Sequence, residues 1–131
     1  MGFLTKKDPI ADLTKHLIKH TKDTRAYLEL AGLLAKKGDR SGAIDNYLLA
    51  AKTFSEEKHL HKASAAAKQA LVVDPKSIAA HEFLAQLYED GNLKEDARAV
   101  LKKLIDLYFN AGDQPLVLQT RERLNKLGPG R

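Results

Sequence analysis

Two of the five histidines stand at a spacing that could bind a metal ion. His16 and His20 are four residues apart, so a helix would place both imidazoles on one face, where they could share a zinc ion. A protein zinc site needs at least three ligands from the chain, and no third candidate lies near these two in the sequence. We therefore expect a solvated, basic helix face at this place and no metal.

The other histidines and the acidic pairs show no catalytic spacing. His59 and His61 are two residues apart, which directs them to different helix faces, so surface or capping roles are expected. His81 stands in an apolar stripe and is expected to be partly buried. A general acid and base need a pocket that separates their pKa values, and nothing in the sequence indicates one. We expect solvated carboxylates at the acidic pairs Glu56-Glu57, Glu89-Asp90 and Glu95-Asp96.

The chain also lacks the motifs of enzymes that use a nucleophile or a nucleotide. Its glycines are isolated from one another or lie in the tail, so there is no glycine-rich phosphate loop and no nucleophile elbow. The sequence predicts no catalytic residue, no metal and no cofactor. We therefore expect a protein that is not an enzyme.

Composition indicates a helical protein of the cytoplasm. Apolar residues make up 44% of the 131 residues and charged residues 30%, which allows a buried core and a solvated surface. Alanine and leucine dominate, and both lose little entropy in a helix. The absence of cysteine excludes disulfides and thiolate metal sites. No stretch is apolar enough for a signal peptide or a membrane span, so we expect a cytoplasmic location and no membrane partner.

The net charge of +5 comes from the two ends of the chain. Basic residues outnumber acidic ones in 1–22 and in 119–131, whereas 23–118 is nearly balanced. A nucleic-acid-binding protein usually carries a basic stripe on its folded body. We therefore do not expect a nucleic-acid-binding domain, and weak binding through the basic ends is kept as the second of two alternative functions.

Seven helices and no strand are predicted from apolar spacing and capping signals. Asp8-Pro9 begins the first helix, and Asp23 caps a second that ends at Gly38. No segment alternates between apolar and polar residues as a strand would. The other five helices are expected at about 41–57, 59–73, 77–91, 94–109 and 114–127.

An internal repeat of 54 residues is the strongest pattern in the chain. This offset aligns the potential caps Asp23 and Ser77, and the helix-ending Pro75 and Pro129. It also aligns apolar positions, among them Leu30 with Leu84, Ala31 with Ala85 and Ala43 with Ala97. We predict two three-helix units, 24–77 and 78–131, whose stacking supplies the core. The repeat region is 23–127, preceded by a basic segment with an extra helix at 1–22 and followed by a linker-like tail at 128–131.

Within these units the chain resembles the tetratricopeptide repeat (TPR) family. That family places a large residue, a Leu with Gly or Ala, and an aromatic on its first helix, and Ala, an aromatic and Ala on its second. Three matches cover about 24–110: Tyr27-x₂-Leu30-Ala31-x₂-Leu34 with Ala43-x₃-Tyr47-x₂-Ala50, Tyr47-x₂-Ala50-Ala51-x₂-Phe54 with Ala63-x₃-Ala67-x₂-Ala70, and His81-x₂-Leu84-Ala85-x₂-Tyr88 with Ala97-x₃-Leu101. The first large residue is never Trp, the third turn glycine, Gly91, is displaced by one residue, and the first two matches share a helix.

The resemblance implies an all-α fold, an α-solenoid of stacked antiparallel helices with a concave groove for a partner. The positions that line this groove in the family correspond here to Arg25, Leu28, Gly32 and Lys36, to Asp45, Leu48 and Lys52, and to Ala79, Glu82, Gln86 and Glu89. They change from basic to acidic, with Leu28 and Leu48 expected to be exposed between them. These eleven residues, called the wall below, would orient a ligand with an acidic end, an apolar anchor and a basic end. Gly32 is expected to permit close approach of a neighbouring helix or of a ligand.

The function that the resemblance implies is that of a non-catalytic adaptor or scaffold for a protein or peptide partner. Such modules are joined to bacterial signalling, polarity, pilus or secretion machinery, and the pattern does not specify which partner is bound. The first alternative is a self-associating structural module that forms a homo-oligomer through its last helix. That helix is expected to expose Leu116, Leu118, Leu124 and Leu127.

Overall fold

The computed structural model describes residues 8–130, which form seven α-helices and no strand. The helices are α1 (Pro9–Lys19), α2 (Thr24–Lys37), α3 (Arg40–Glu56), α4 (Leu60–Val73), α5 (Ile78–Asp90), α6 (Lys94–Asn110) and α7 (Gln114–Lys126). The predicted all-helical fold is confirmed, and the bounds expected for α3 to α7 agree with the structure to within one residue. Residues 1–7 of the predicted basic segment lie outside the described part.

Side-chain caps at the helix starts explain why these bounds are readable from the sequence. Asp8, Asp23, Asp39, Ser77 and Asp113 each accept a hydrogen bond from the backbone N–H three residues further on, at 2.9–3.1 Å. The first amides of a helix have no partner inside the helix, so an oxygen at the N-cap satisfies one of them. The helix starts are therefore encoded by short local patterns.

The 54-residue offset found in the sequence reappears in the secondary structure. α2 and α5 begin at Thr24 and Ile78, and the starts of α3 and α6, and of α4 and α7, are separated by the same 54 residues. Left-handed backbone also repeats: φ is 93° at Gly38 and 56° at Asn92, and it is 65° at Lys58 and 75° at Gly112.

The expectation that Gly91 is the third turn glycine, displaced by one residue, is wrong. Gly91 has a φ of −83°, and the left-handed position that matches Gly38 is Asn92. Asparagine enters this region more readily than most residues because its short polar side chain can hydrogen-bond locally. The third turn is therefore not displaced; a different residue type fills the same place.

The first helix, α1, has the same relation to α2 that α4 has to α5. Its last turn ends in a hydrogen bond from the His20 amide to the His16 carbonyl, and α4 ends in the matching bond from Asp74 to Ala70. A second hydrogen bond closes each connection. The Asp23 amide donates to the His20 carbonyl at 3.2 Å before α2, and the Ser77 amide donates to the Asp74 carbonyl at 3.0 Å before α5. α1 is therefore a counterpart of α4.

Consecutive helices pack on one another throughout the described chain, and α3 also contacts α5. Alanine dominates the contacts, because its small side chain lets helix axes approach closely. Ten alanines are fully buried, namely Ala31, Ala43, Ala50, Ala51, Ala63, Ala67, Ala70, Ala80, Ala85 and Ala97. None of the helices within residues 8–130 is both long and apolar enough to cross a lipid bilayer.

Candidate partner-binding face

The eleven residues that the resemblance assigns to a groove lie on three helices. Four are on α2, three on α3 and four on α5, and α3 contacts both of the other two helices. No side-chain hydrogen bond or ion pair among the residues of the described range joins two of these eleven directly. Exposed members are Arg25, Lys36, Asp45, Lys52, Ala79 and Gln86, and partly buried members are Leu28, Gly32, Leu48, Glu82 and Glu89.

The leucines expected to be exposed are half-buried instead. Leu28 and Leu48 both pack against the main hydrophobic cluster, which spans α1 to α6. Both leucines lie at the border between the buried and the exposed face of their helices. A pattern of apolar positions does not show whether such a border residue is buried or exposed. Each therefore offers only part of its side chain to a ligand and contributes to stability with the rest.

The expectation that Gly32 permits close approach of a neighbouring helix is wrong. A methyl group built at this position would have one neighbouring atom within 4 Å, the Tyr47 hydroxyl oxygen at 3.9 Å. This is ordinary van der Waals contact, so no helix backbone presses on the glycine. Gly32 leaves an open place on the surface of α2.

The acidic end of the predicted wall is neutralised by a residue that the sequence reasoning did not single out. Arg123 of α7 donates from Nη1 to Glu82 at 2.9 Å and from Nη2 to Glu89 at 2.7 Å. The side chains of all three residues are at most about a third exposed. Hydrogen bonding to Glu89, followed by that to Glu82, raises the pKa of Arg123. The structure thus brings Glu82 and Glu89 together on one guanidinium group.

A tyrosine completes this cluster. The Tyr108 hydroxyl of α6 donates to Glu82, and burial together with this bond raises the pKa of the phenol. Glu82 and Glu89 are therefore largely engaged inside the protein, and the predicted charge gradient along the wall is wrong at its acidic end. The residue 54 positions before Arg123 is Gln69. Because glutamine carries no charge, the repeat does not predict an ion pair at this position.

The basic side chains of the wall remain at the surface. Arg25, Lys36 and Lys52 are all exposed, and none of them makes an ion pair within residues 8–130. Glu56, close to Lys52, is instead paired with Lys22 at 2.7 Å; this hydrogen bond is the main cause that lowers the pKa of Glu56. The charge left available on α2 and α3 is therefore predominantly positive.

α1 and α2 together form an open cleft of about 430 Å³. At its rim, the Nε2 atom of His16 lies 2.7 Å from Oδ2 of Asp23, and the rings of His16 and His20 stack at 4.4 Å. The bond to His16 is the first cause that lowers the pKa of Asp23, and the amide of Ala26 is the second. Asp23 thus caps α2 and anchors α1 with one carboxylate.

The lining of this cleft includes the charged or titratable side chains Asp12, His16, Asp23, Arg25 and Glu29. Its lining contains neither a serine nor a cysteine, and within the described range no three histidine, cysteine or acidic side chains are grouped closely enough to hold a metal ion. His16 and His20 lie on one helix face as expected, where their rings stack and His16 hydrogen-bonds to Asp23.

The remaining polar residues flagged in the sequence take structural positions. His81 is 5% exposed, more deeply buried than expected, and its Nδ1 lies 2.8 Å from the Ser77 carbonyl oxygen. His59 occupies the N-cap of α4 without a side-chain capping bond. The expectation that the acidic pairs are only solvated is wrong for Glu56, Glu89 and Glu95, each of which forms an ion pair.

The last helix exposes less apolar surface than expected. Of its four leucines, only Leu118 is exposed, at 61%. The others pack on the second hydrophobic cluster, formed by α5, α6 and α7: Leu116, Leu124 and Leu127. The predicted self-association surface is therefore wrong in three of its four residues.

Comparison with models of known protein families finds no match to this chain. Comparison with curated proteins finds no match either.

Proposed function

We propose that this chain is a TPR-like α-solenoid that acts as a non-catalytic cytoplasmic adaptor and binds an acidic peptide carrying an apolar anchor. The observation that carries the proposal is the recurrence of helix starts and left-handed turn residues every 54 residues. Repeated helical units that pack on their chain neighbours form extended surfaces, which such proteins use to bind peptides. Adaptors of this kind serve larger assemblies such as signalling, polarity, pilus or secretion machinery.

The charges of the wall decide the chemistry of the partner. Arg25, Lys36 and Lys52 are free to meet acidic groups, whereas Glu82 and Glu89 are already held by Arg123. A ligand therefore needs no basic end to meet Glu82 and Glu89, and the exposed acidic residue of the wall, Asp45, stands against three exposed basic ones. The half-exposed leucines on α2 and α3 and the open place at Gly32 supply the apolar contact, and electrostatic attraction sets orientation and association rate.

A pair of synthetic peptides tests this proposal. A fluorescent peptide of alternating glutamate and leucine residues is compared, by anisotropy, with the same peptide carrying lysine in place of glutamate. We expect the wild-type chain to prefer the acidic peptide and to lose affinity as salt rises. The double variant Lys36→Glu/Lys52→Glu is expected to weaken acidic-peptide binding by about 10-fold or more, because it replaces attraction with repulsion.

The matched control is Lys68→Glu, which changes the same charge at an exposed position of α4 outside the wall. It should leave peptide affinity nearly unchanged. Circular dichroism checks that all variants keep their helicity. Equal binding of both peptides, or an equal loss with Lys68→Glu, would show that the wall does not select the ligand.

A further inference from the structure

The two three-helix units differ in what covers their ends. In the first unit, α5 lies against α3 and α4. Ser64 of α4 forms a buried hydrogen bond with the Tyr88 hydroxyl of α5, with the two oxygens 2.7 Å apart. Ser55 of α3 lines a small cleft together with Leu87 of α5. These two serines therefore mark the face on which the following helix lies.

In the second unit the corresponding residues are large, apolar and exposed. Fifty-four residues after Ser55 and Ser64 stand Phe109 on α6 and Leu118 on α7, with exposed fractions of 59% and 61%. In the first unit the next helix lies against these positions, and the residues there are small and polar. Large apolar side chains exposed at the same positions of the second unit indicate that another protein surface covers them.

We propose that this end face, Phe109 and Leu118 with their surroundings, binds the end face of a second copy of the chain about a two-fold axis. A head-to-tail contact would require the α6–α7 end of one copy to cover α2 of the next, as α3 and α4 cover α5. In that arrangement α7 would need the place on α2 that α1 already holds, because α1 matches α4 in its position and in its closing hydrogen bonds. The end face of the second copy has no such obstruction.

The charges around the end face suit a contact with itself. Asp106 stands one turn before Phe109 on α6, and Arg121 and Glu122 stand one turn after Leu118 on α7, all of them exposed. A two-fold axis brings each patch against its own copy, so a patch of one sign would repel itself, whereas a mixed patch can pair opposite charges. An isologous pair is also closed, and therefore forms a dimer and not a filament.

Replacement of the two apolar residues by their first-unit counterparts tests the proposal. We expect light scattering with size exclusion to give the wild-type chain twice its 14.5 kDa mass at about 100 μM, a concentration at which even weak specific dimers are populated. Phe109→Ser/Leu118→Ser should give the mass of one chain. Because both side chains are exposed, helicity by circular dichroism should not change. Val72→Ser, which removes an apolar side chain that is 76% exposed on α4, should leave the dimer intact.

A single introduced cysteine distinguishes the two-fold contact from any other. The chain has no cysteine, so Leu118→Cys carries one thiol, which meets its own copy only across a two-fold axis. We expect efficient cross-linking of Leu118→Cys by a short bismaleimide and little cross-linking of Val72→Cys. A wild-type chain that is monomeric at about 100 μM, a double serine variant that is still dimeric, or equal cross-linking of both cysteine variants overturns the proposal.

Discussion

At the scale of single residues, one left-handed backbone position is occupied by two different residue types. Lys58 and Gly112 are 54 residues apart and have φ values of 65° and 75°. A residue with a Cβ atom pays for this conformation through a close contact with the backbone, by about 1 kcal/mol, whereas glycine does not. At this position the first unit therefore carries backbone strain that the second does not; the reverse holds for Gly38 and Asn92.

Lys58→Gly is accordingly expected to stabilise the protein. The free energy of unfolding should rise by roughly 0.5–1 kcal/mol, since relief of the strain exceeds the entropy that glycine loses on folding. The opposite exchange, Gly112→Lys, should lower it by a similar amount. Urea unfolding followed by circular dichroism measures both. Destabilisation by Lys58→Gly would contradict this account.

At the scale of helices, local signals were sufficient for the boundaries and insufficient for the surface. The starts of α2 and α5 follow from the caps Asp23 and Ser77, each of which acts three residues along the chain. The occupied acidic end of the candidate site depends on Arg123, which is 41 residues from Glu82 and 34 from Glu89. Contacts at such distances depend on how the helices pack, and neither helical spacing nor the repeat encodes them.

The half-burial of the candidate leucines could not be predicted from the sequence for the same reason. Leu28 and Leu48 fit the stripe of their helices, but helical spacing does not say whether a position at the edge of a stripe is covered by a third element. Asn92 was not predicted because glycine is the usual residue at a left-handed turn and asparagine is the less common one. For the two leucines, the pattern identified the position and not its surroundings.

Arg123 is expected to act as the main polar connection between α5 and α7. Arg123→Met keeps the length and much of the apolar stem but leaves Glu82 and Glu89 facing each other without a cation. We expect the free energy of unfolding to fall by about 1–3 kcal/mol, the usual cost of a partly buried charge left unpaired. Thermal and urea unfolding provide the measurement.

Two further variants separate charge from packing at this contact. Lys126→Met removes an exposed charge from the same helix and should change stability little. Adding Glu82→Gln and Glu89→Gln to Arg123→Met should recover part of the loss, because the repulsion between the carboxylates disappears. An Arg123→Met chain as stable as the wild type would show that the cluster does not connect the helices.

At the scale of the whole molecule, the two predicted units share one core. The main hydrophobic cluster contains buried side chains from α1 through α6, and the second cluster contains side chains of α5, α6 and α7. Val100 and Leu127 pack against both. Side chains that pack against both clusters make each unit depend on the other, so the boundary at 77–78 in the sequence is not a boundary in the packing.

A cavity at the junction should therefore weaken the entire chain and not one half of it. Leu84 of α5 is 2% exposed and belongs to the main cluster; Leu84→Ala is expected to cost about 2–5 kcal/mol while unfolding remains a single cooperative transition. Leu49→Ala, at a leucine that is 43% exposed on α3, should cost much less. Circular dichroism and calorimetry of the same samples decide the matter. If Leu84→Ala instead splits unfolding into two steps, with about half of the helicity surviving the first, the two units fold independently and α5 stabilises only the second unit. A single transition at a lower temperature means that both units unfold together.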